Sequence, residues 1–157
     1  MRKILTGGVF FLGVVSLPVA MSPFQSKATP IPDYRHDPRL ERIRSFFHQA
    51  DCPAEHLAEV FLEAADAYDL DWRLLPSLSF VETTGGKAAR NNNWFGWDSG
   101  RTKFTSVAAG IHAVGYNLAN SDSYRGKGLD SLLTTYNPNP TYVRAVKAVM
   151  RTIGRTN

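Results

Sequence analysis

A chain of 157 residues is the length of one ordinary domain; its 43% hydrophobic content suffices for one core, and 20% charged residues is too few for a disordered tail. Eighteen Lys and Arg against fourteen Asp and Glu leave a formal charge of +4. Two of those positives, Arg2 and Lys3, belong to an N-terminal targeting pattern, so no nucleic-acid partner is expected from charge. The single cysteine, Cys52, excludes an intramolecular disulfide framework, and no Cys/His spacing resembles a zinc site, so neither metal nor cofactor is expected.

Residues 4–21, ILTGGVFFLGVVSLPVAM, are uncharged and follow the basic start, the pattern of a secretory signal peptide with Ala20 as a small residue near the cleavage point. The alternative is an uncleaved membrane anchor, although a span needs roughly 20 apolar residues and Gly7, Gly8, Gly13 and Pro18 interrupt this one. Residues 1–22 are therefore expected to be a signal peptide or an N-terminal anchor. Either places the domain in the periplasm or outside the cell, free or tethered to the inner membrane. Residues 23–36 carry three prolines and no sustained period, which predicts a linker, with the folded domain spanning 37–157.

The domain then reads as closely spaced helices. Asp37-Pro38 is an N-cap with proline at the first helical position, and Leu40, Ile43 and Phe47 follow at helical spacing. A second start at Asp51 with Pro53 leads into Leu57, Val60, Phe61, Ala64 and Tyr68. Asp71 is expected to cap a third helix carrying Leu74, Leu75, Leu78 and Val81, ended by Gly85-Gly86. Ser106 opens a fourth, with Val107, Ile111, Val114 and Leu118 on one face, and two more are expected near 129–135 and 142–153. Only residues 94–104 suggest strands: the runs WFGW and TKF flank Asp98-Ser99-Gly100-Arg101 and predict a short hairpin. The expected fold is mainly α, about six helices with one β-hairpin.

The candidate chemistry lies between residues 82 and 142. Glu82 closes the third helix directly after Phe80-Val81. A carboxylate at the C-terminal end of a buried helix meets the negative end of the macrodipole and apolar walls, and both keep it protonated, as a general acid requires. The alternative is a solvated helix-end glutamate. Nine residues later Asn91-Asn92-Asn93-Trp94-Phe95-Gly96-Trp97 combines amides with flat aromatic faces, the two surfaces that sugar hydroxyls and sugar C–H faces need. An Asn-rich turn leading into packed core aromatics is the competing reading. If the rings alternate sides of a strand, Trp94 is expected to be the wet one.

These segments together carry a resemblance. Asp71-Trp72-Arg73-Leu74-Leu75 leading to Val81-Glu82-Thr83-Thr84-Gly85-Gly86, then Asn92-Asn93-Trp94-Phe95-Gly96-Trp97, resembles the bacterial endo-β-N-acetylglucosaminidase group of the lysozyme-like superfamily. Phe104-Thr105-Ser106, the Tyr124 loop, Thr135-Tyr136-Asn137 and Tyr142-Val143 continue it. The tyrosine-asparagine segment with Tyr142-Val143 is also similar to goose-type lysozymes and soluble lytic transglycosylases. The resemblance covers about residues 68–153. It implies a lysozyme-like fold with a glycan cleft, and a glycoside hydrolase that cleaves β-1,4 bonds between the N-acetylated amino sugars of peptidoglycan; the domain is expected to be a monomer. It also implies Glu82 as the catalytic glutamate, Asn93 with Phe95 and Gly96 as the cleft-floor motif, and Tyr136 with Asn137 as the substrate-side tyrosine and its neighbour. Asn92, Trp94, Trp97 and Tyr124 are expected to bind substrate beside them, Asp98 to activate water or stabilise the transition state if it faces the cleft, and the Tyr136 hydroxyl to orient the N-acetyl group or the leaving oxygen, the alternative being a core tyrosine.

One departure from the family pattern concerns acids. Relatives often carry a second carboxylate on a longer hairpin, whereas here the only acid in that position is Asp98, in a segment that also reads as ordinary turn chemistry. A single-acid mechanism would then take help from the sugar's N-acetyl group, or end lytically in a 1,6-anhydro sugar. A glycan-binding or envelope-assembly module without activity is a further alternative. The remaining polar residues carry less: His36, His48, His56 and His112 show no metal spacing, Cys52 has no Cys-His-Asn arrangement around it, and Arg144, Lys147 and Arg151 fit a solvated helix face.

Overall fold

A computed structural model describes residues 32–155. The expected signal or anchor, most of the expected linker and the last two residues lie outside the described part. The packed unit starts at Pro32, and Tyr34, inside the stretch expected to be linker, is already a core residue. Among the described residues no helix is long and apolar enough to cross a membrane.

Six α-helices are described: α1 (Pro38–Gln49), α2 (Ala58–Ala67), α3 (Leu74–Thr83), α4 (Val107–Asn120), α5 (Leu129–Tyr136) and α6 (Pro140–Arg155). Local chemistry explains their ends. The Asp37 side chain accepts from the Arg39 N–H and Pro38 presets the first turn of α1, while the Ser106 hydroxyl accepts from the Ala109 N–H to start α4. Asp51 does not start a helix: it takes a left-handed φ of 49°, and a 3-10 turn (Pro53–Leu57) capped at Cys52 precedes α2. Asp71 lies two residues ahead of the cap position of α3, accepting from the Arg73 N–H and pairing with its guanidinium. α3 ends at Thr83, two residues before the first of the paired glycines, because Thr84 itself turns left-handed and its N–H returns to the Phe80 carbonyl.

α3 is the central element. It packs against α2 and α6, α1 lies against α2 and α6, α4 against α2, and α5 against α6. Its residues from Leu74 to Ser79 are all buried. The core beside it is aromatic: Phe46 meets Phe47 and Phe80 edge-on, Phe47 stacks on Phe61, and Phe61 meets Phe95 edge-on at 6.5 Å.

The expected hairpin over 94–104 is not formed. Among the described residues there is no β-strand, only an isolated bridge between Arg90 and Asn93. The reason is backbone conformation. Asn91, Asn92, Gly96, Asp98, Ser99 and Gly100 all take left-handed φ angles, which break the extended run a strand requires. Phe95 and Trp94 are apolar because they anchor this loop in the core, not because they alternate across a sheet.

Candidate functional site

The end of α3 and the loop after it are tied together by one hydroxyl. Thr83 Oγ1 lies 2.9 Å from the Trp94 carbonyl and 3.1 Å from the Ser79 carbonyl, and accepts from the Gly86 N–H at 3.2 Å. The Trp94 ring closes the same joint by packing on Gly86, where a Cβ would meet the ring at 2.6 Å. Trp94 is therefore only 8% exposed, and the expectation that it is the wet tryptophan is overturned. Phe95 is fully enclosed in the aromatic core.

Asn93 organises the rest of the loop. It is 3% exposed. Its Nδ2 donates to the Trp97 carbonyl at 2.9 Å and the Thr102 carbonyl at 3.1 Å, and its Oδ1 accepts from the Trp97 N–H at 2.9 Å. Every hydrogen-bonding direction of that amide but one lone pair is thus satisfied inside the loop. Asn92 has a similar task at the surface, where its Nδ2 donates to the Phe104 carbonyl and its backbone carbonyl lies against α4 at Gly110. Both amides hold the loop's shape.

That shape builds a cleft of about 450 Å³ lined by Glu82, Gly96, Trp97, Asp98, Ser99, Tyr124, Tyr136 and Asn137. The cleft brings together Glu82, Gly96, Trp97, Asp98, Tyr124, Tyr136 and Asn137 from the candidates read in the sequence. It leaves Asn92, Asn93, Trp94 and Phe95 outside its lining, Asn92 at the surface and the other three buried.

Glu82 reaches the cleft half-buried. Burial pushes its carboxyl above the usual carboxylate range, and the Tyr142 hydroxyl pulls it partly back. The Tyr142 hydroxyl is itself buried and makes no hydrogen bond of regular geometry, yet the two groups are close enough to perturb each other. Burial and the neighbouring tyrosine and carboxyl hold the Tyr142 phenol well above its usual range, so it stays a neutral donor facing the carboxyl. On the other side Oε2 lies over the Gly96 backbone, where a Cβ would stand 2.8 Å away, and Gly96 has a left-handed φ of 58°. Glycine is required there twice, by space and by conformation.

Aromatic rings form the cleft wall. Tyr136 stacks on Tyr142 at 5.9 Å and 8°, Trp97 lies 5.9 Å from Tyr136 and 6.2 Å from Tyr124, and Tyr124 lies 6.5 Å from Tyr136. The Tyr136 hydroxyl donates to the Phe95 carbonyl at 2.5 Å, so it braces the loop beneath Gly96. Burial, then the Glu82 charge, holds its phenol well above the ordinary value. Asp98 sits at the exposed rim, paired with Arg101, whose guanidinium holds the Asp98 carboxyl below its ordinary value. Asn137 Oδ1 accepts from the Asn139 N–H at the mouth of α6.

The two acids of the cleft thus occupy opposite environments: one is half-buried and inclined to keep its proton, the other exposed, ionised and paired. Such a half-buried carboxyl can deliver a proton to a bound atom beside Gly96, and the rings can take a flat apolar face. Tyr142 is the functional neighbour to which the sequence reading gave no role at the site. In the sequence it stands out only through the Tyr142-Val143 pair of the resemblance and its place in the first turn of α6, with nothing local to connect it to Glu82. Among the described residues no cluster of three His, Cys, Asp or Glu side chains could hold a metal ion. No protein-family model matches this chain, and no curated protein matches it significantly.

Proposed function

We propose that this protein is a lysozyme-like glycoside hydrolase of the endo-β-N-acetylglucosaminidase type, which cleaves β-1,4 bonds in the glycan strand of peptidoglycan with Glu82 as general acid. The observation that carries the reading is the Glu82 carboxyl, with its pKa raised by burial, at the floor of a cleft walled by Trp97, Tyr124 and Tyr136. The resemblance over residues 68–153 and the export pattern at 4–21 support it from the sequence. In this mechanism Glu82 protonates the oxygen leaving the anomeric carbon, and the sugar's own N-acetyl oxygen attacks that carbon from the opposite face. The Glu82 carboxylate then takes a proton from the water that opens the cyclic intermediate. Tyr142 and Gly96 orient the carboxyl, while Tyr136 holds the loop against it.

A second reading is favoured by one observation. The Asp98 carboxylate sits exposed at the rim beside Arg101, which leaves Glu82 as the one half-buried acid of the cleft to take a proton, from a water or from a sugar hydroxyl. Internal attack by a 6-hydroxyl would then end the reaction, with a 1,6-anhydro sugar as product. Mass spectrometry of digested peptidoglycan distinguishes the two. Hydrolysis is expected to give fragments with reducing ends, the lytic route fragments lighter by about 18 mass units, one water per cut. Release of no glycan fragment from purified wall would remove both readings and leave a binding module.

Gly96→Ala is a sharp check on the geometry. The added methyl meets Glu82 Oε2 at 2.8 Å in a left-handed backbone, so the carboxyl must move. Displacements of about 1 Å cost on the order of 10²-fold in rate. Cleavage is expected to fall by about that factor while the Tm drops only a few degrees; near wild-type turnover would show that the carboxyl does not act from this position.

A further inference from the structure

We infer that a second groove, adjoining the Glu82 cleft at Tyr124, binds further sugar units of the same glycan strand, so that the protein grips an extended polysaccharide; this rests on the glycan-cleaving reading above. The groove has a volume of about 630 Å³ and is lined by the ends of α2 and α4 and by the segment leading into α5. That size is within the roughly 300–1,000 Å³ of small-molecule sites. Tyr124 lines both the groove and the Glu82 cleft, so the two adjoin at that ring.

The groove carries a built aromatic shelf. Tyr116 is 56% exposed, the one exposed large hydrophobic side chain among the described residues. It is not loose. Tyr68 lies edge-on beside it at 5.9 Å and 81°, and Tyr68 is held in turn by His112, whose ring is also 5.9 Å away and whose Nδ1 lies 3.4 Å from the Tyr68 hydroxyl. Gly115 admits the Tyr68 ring, since a Cβ there would meet it at 2.9 Å. One turn after Tyr116, Asn120 Nδ2 donates to the Tyr116 carbonyl at 2.9 Å, which orients its amide on the same face of α4. Asp69, an exposed carboxylate at the end of α2, completes the polar edge. Fixed rings with a face to solvent, an oriented amide and a carboxylate are the complement of a pyranose, whose C–H face stacks and whose hydroxyls donate.

The same residues argue against an anionic peptide as the occupant. Carboxylates call for cations, and the groove's lining holds one cation, Lys127, offset by the Asp69 carboxylate.

The test uses the full chain carrying Glu82→Gln, so that oligosaccharide is not consumed, titrated calorimetrically with the disaccharide and the hexasaccharide of β-1,4-linked N-acetylglucosamine. The hexasaccharide is expected to bind at least about tenfold more tightly than the disaccharide. Adding Tyr116→Ala is expected to remove most of that difference, and Tyr116→Phe to retain it. A length difference that survives Tyr116→Ala, or no length difference with the disaccharide bound, overturns the groove while leaving the Glu82 cleft in place. Failure of both sugars to bind the folded protein overturns the glycan reading together with the groove. Loss of affinity on Tyr116→Ala for a muropeptide but not for the hexasaccharide would assign the groove to peptide and overturn the inference.

Discussion

Glu82→Gln is expected to lower glycan cleavage by about 10²- to 10⁴-fold, the usual worth of a general acid, with the fold intact. Gln nearly matches Glu in shape, so it keeps its place over Gly96, but it has no proton to donate. Wild-type activity is expected to fall as the pH rises through the raised pKa of Glu82, because the protonated form is the reactive one. Stability follows the same direction. Burial raises the Glu82 pKa above its ordinary value of 4.5 in the folded protein, so the folded state holds this proton more tightly than the unfolded chain does. Its contribution to stability is complete below that ordinary value and is lost as the pH rises through the folded one. At neutral pH the Gln variant is therefore expected to unfold at the same temperature as wild type or slightly higher. Calorimetric melting beside a wall-digestion assay checks both parts, and retention of more than about a third of wild-type turnover would take Glu82 out of the mechanism.

The largest expected loss of stability comes from a residue that no ligand need touch. Asn93→Ala removes three partly buried hydrogen bonds at once and leaves the Trp97 N–H and the Trp97 and Thr102 carbonyls without their partner. With unsatisfied buried groups costing roughly 1–3 kcal/mol each and partial access of water to the loop, a loss of about 3 kcal/mol is expected, a fall in Tm on the order of 10 °C. Activity should fall with it, since Gly96 and Trp97 are placed by those bonds. Asn93→Asp is expected to help little: it retains the acceptor for the Trp97 N–H but sets a carboxylate oxygen against two carbonyls. A Tm within a degree of wild type for Asn93→Ala would mean that Trp94 and Phe95 alone hold the loop.

The contrast between Glu82 and Asn93 reflects two kinds of information in the chain. Helices α1 and α4 were legible because their signals are local: a capping Asp37 or Ser106, then apolar residues three and four apart, each acting within one or two turns. The position of Glu82 at the end of an apolar helix was legible for the same reason, whereas the left-handed turn that stops the helix falls on Thr84 and not on the paired glycines expected to end it. The loop after α3 was not. Aromatic residues around a short turn read as strands from their types alone, but whether an aromatic run extends or coils depends on what its rings and amides meet. Here Gly86 receives the Trp94 ring, Phe61 receives Phe95, and Asn93 binds backbone four and nine residues ahead. Those contacts coil the loop, turn Trp97 rather than Trp94 toward the cleft, and close Gly96 onto the carboxyl. Tyr142 lies sixty residues from Glu82 in the chain, and no local pattern links them; the packing of α6 on α3 does, by bringing a buried phenol beside a half-buried carboxyl.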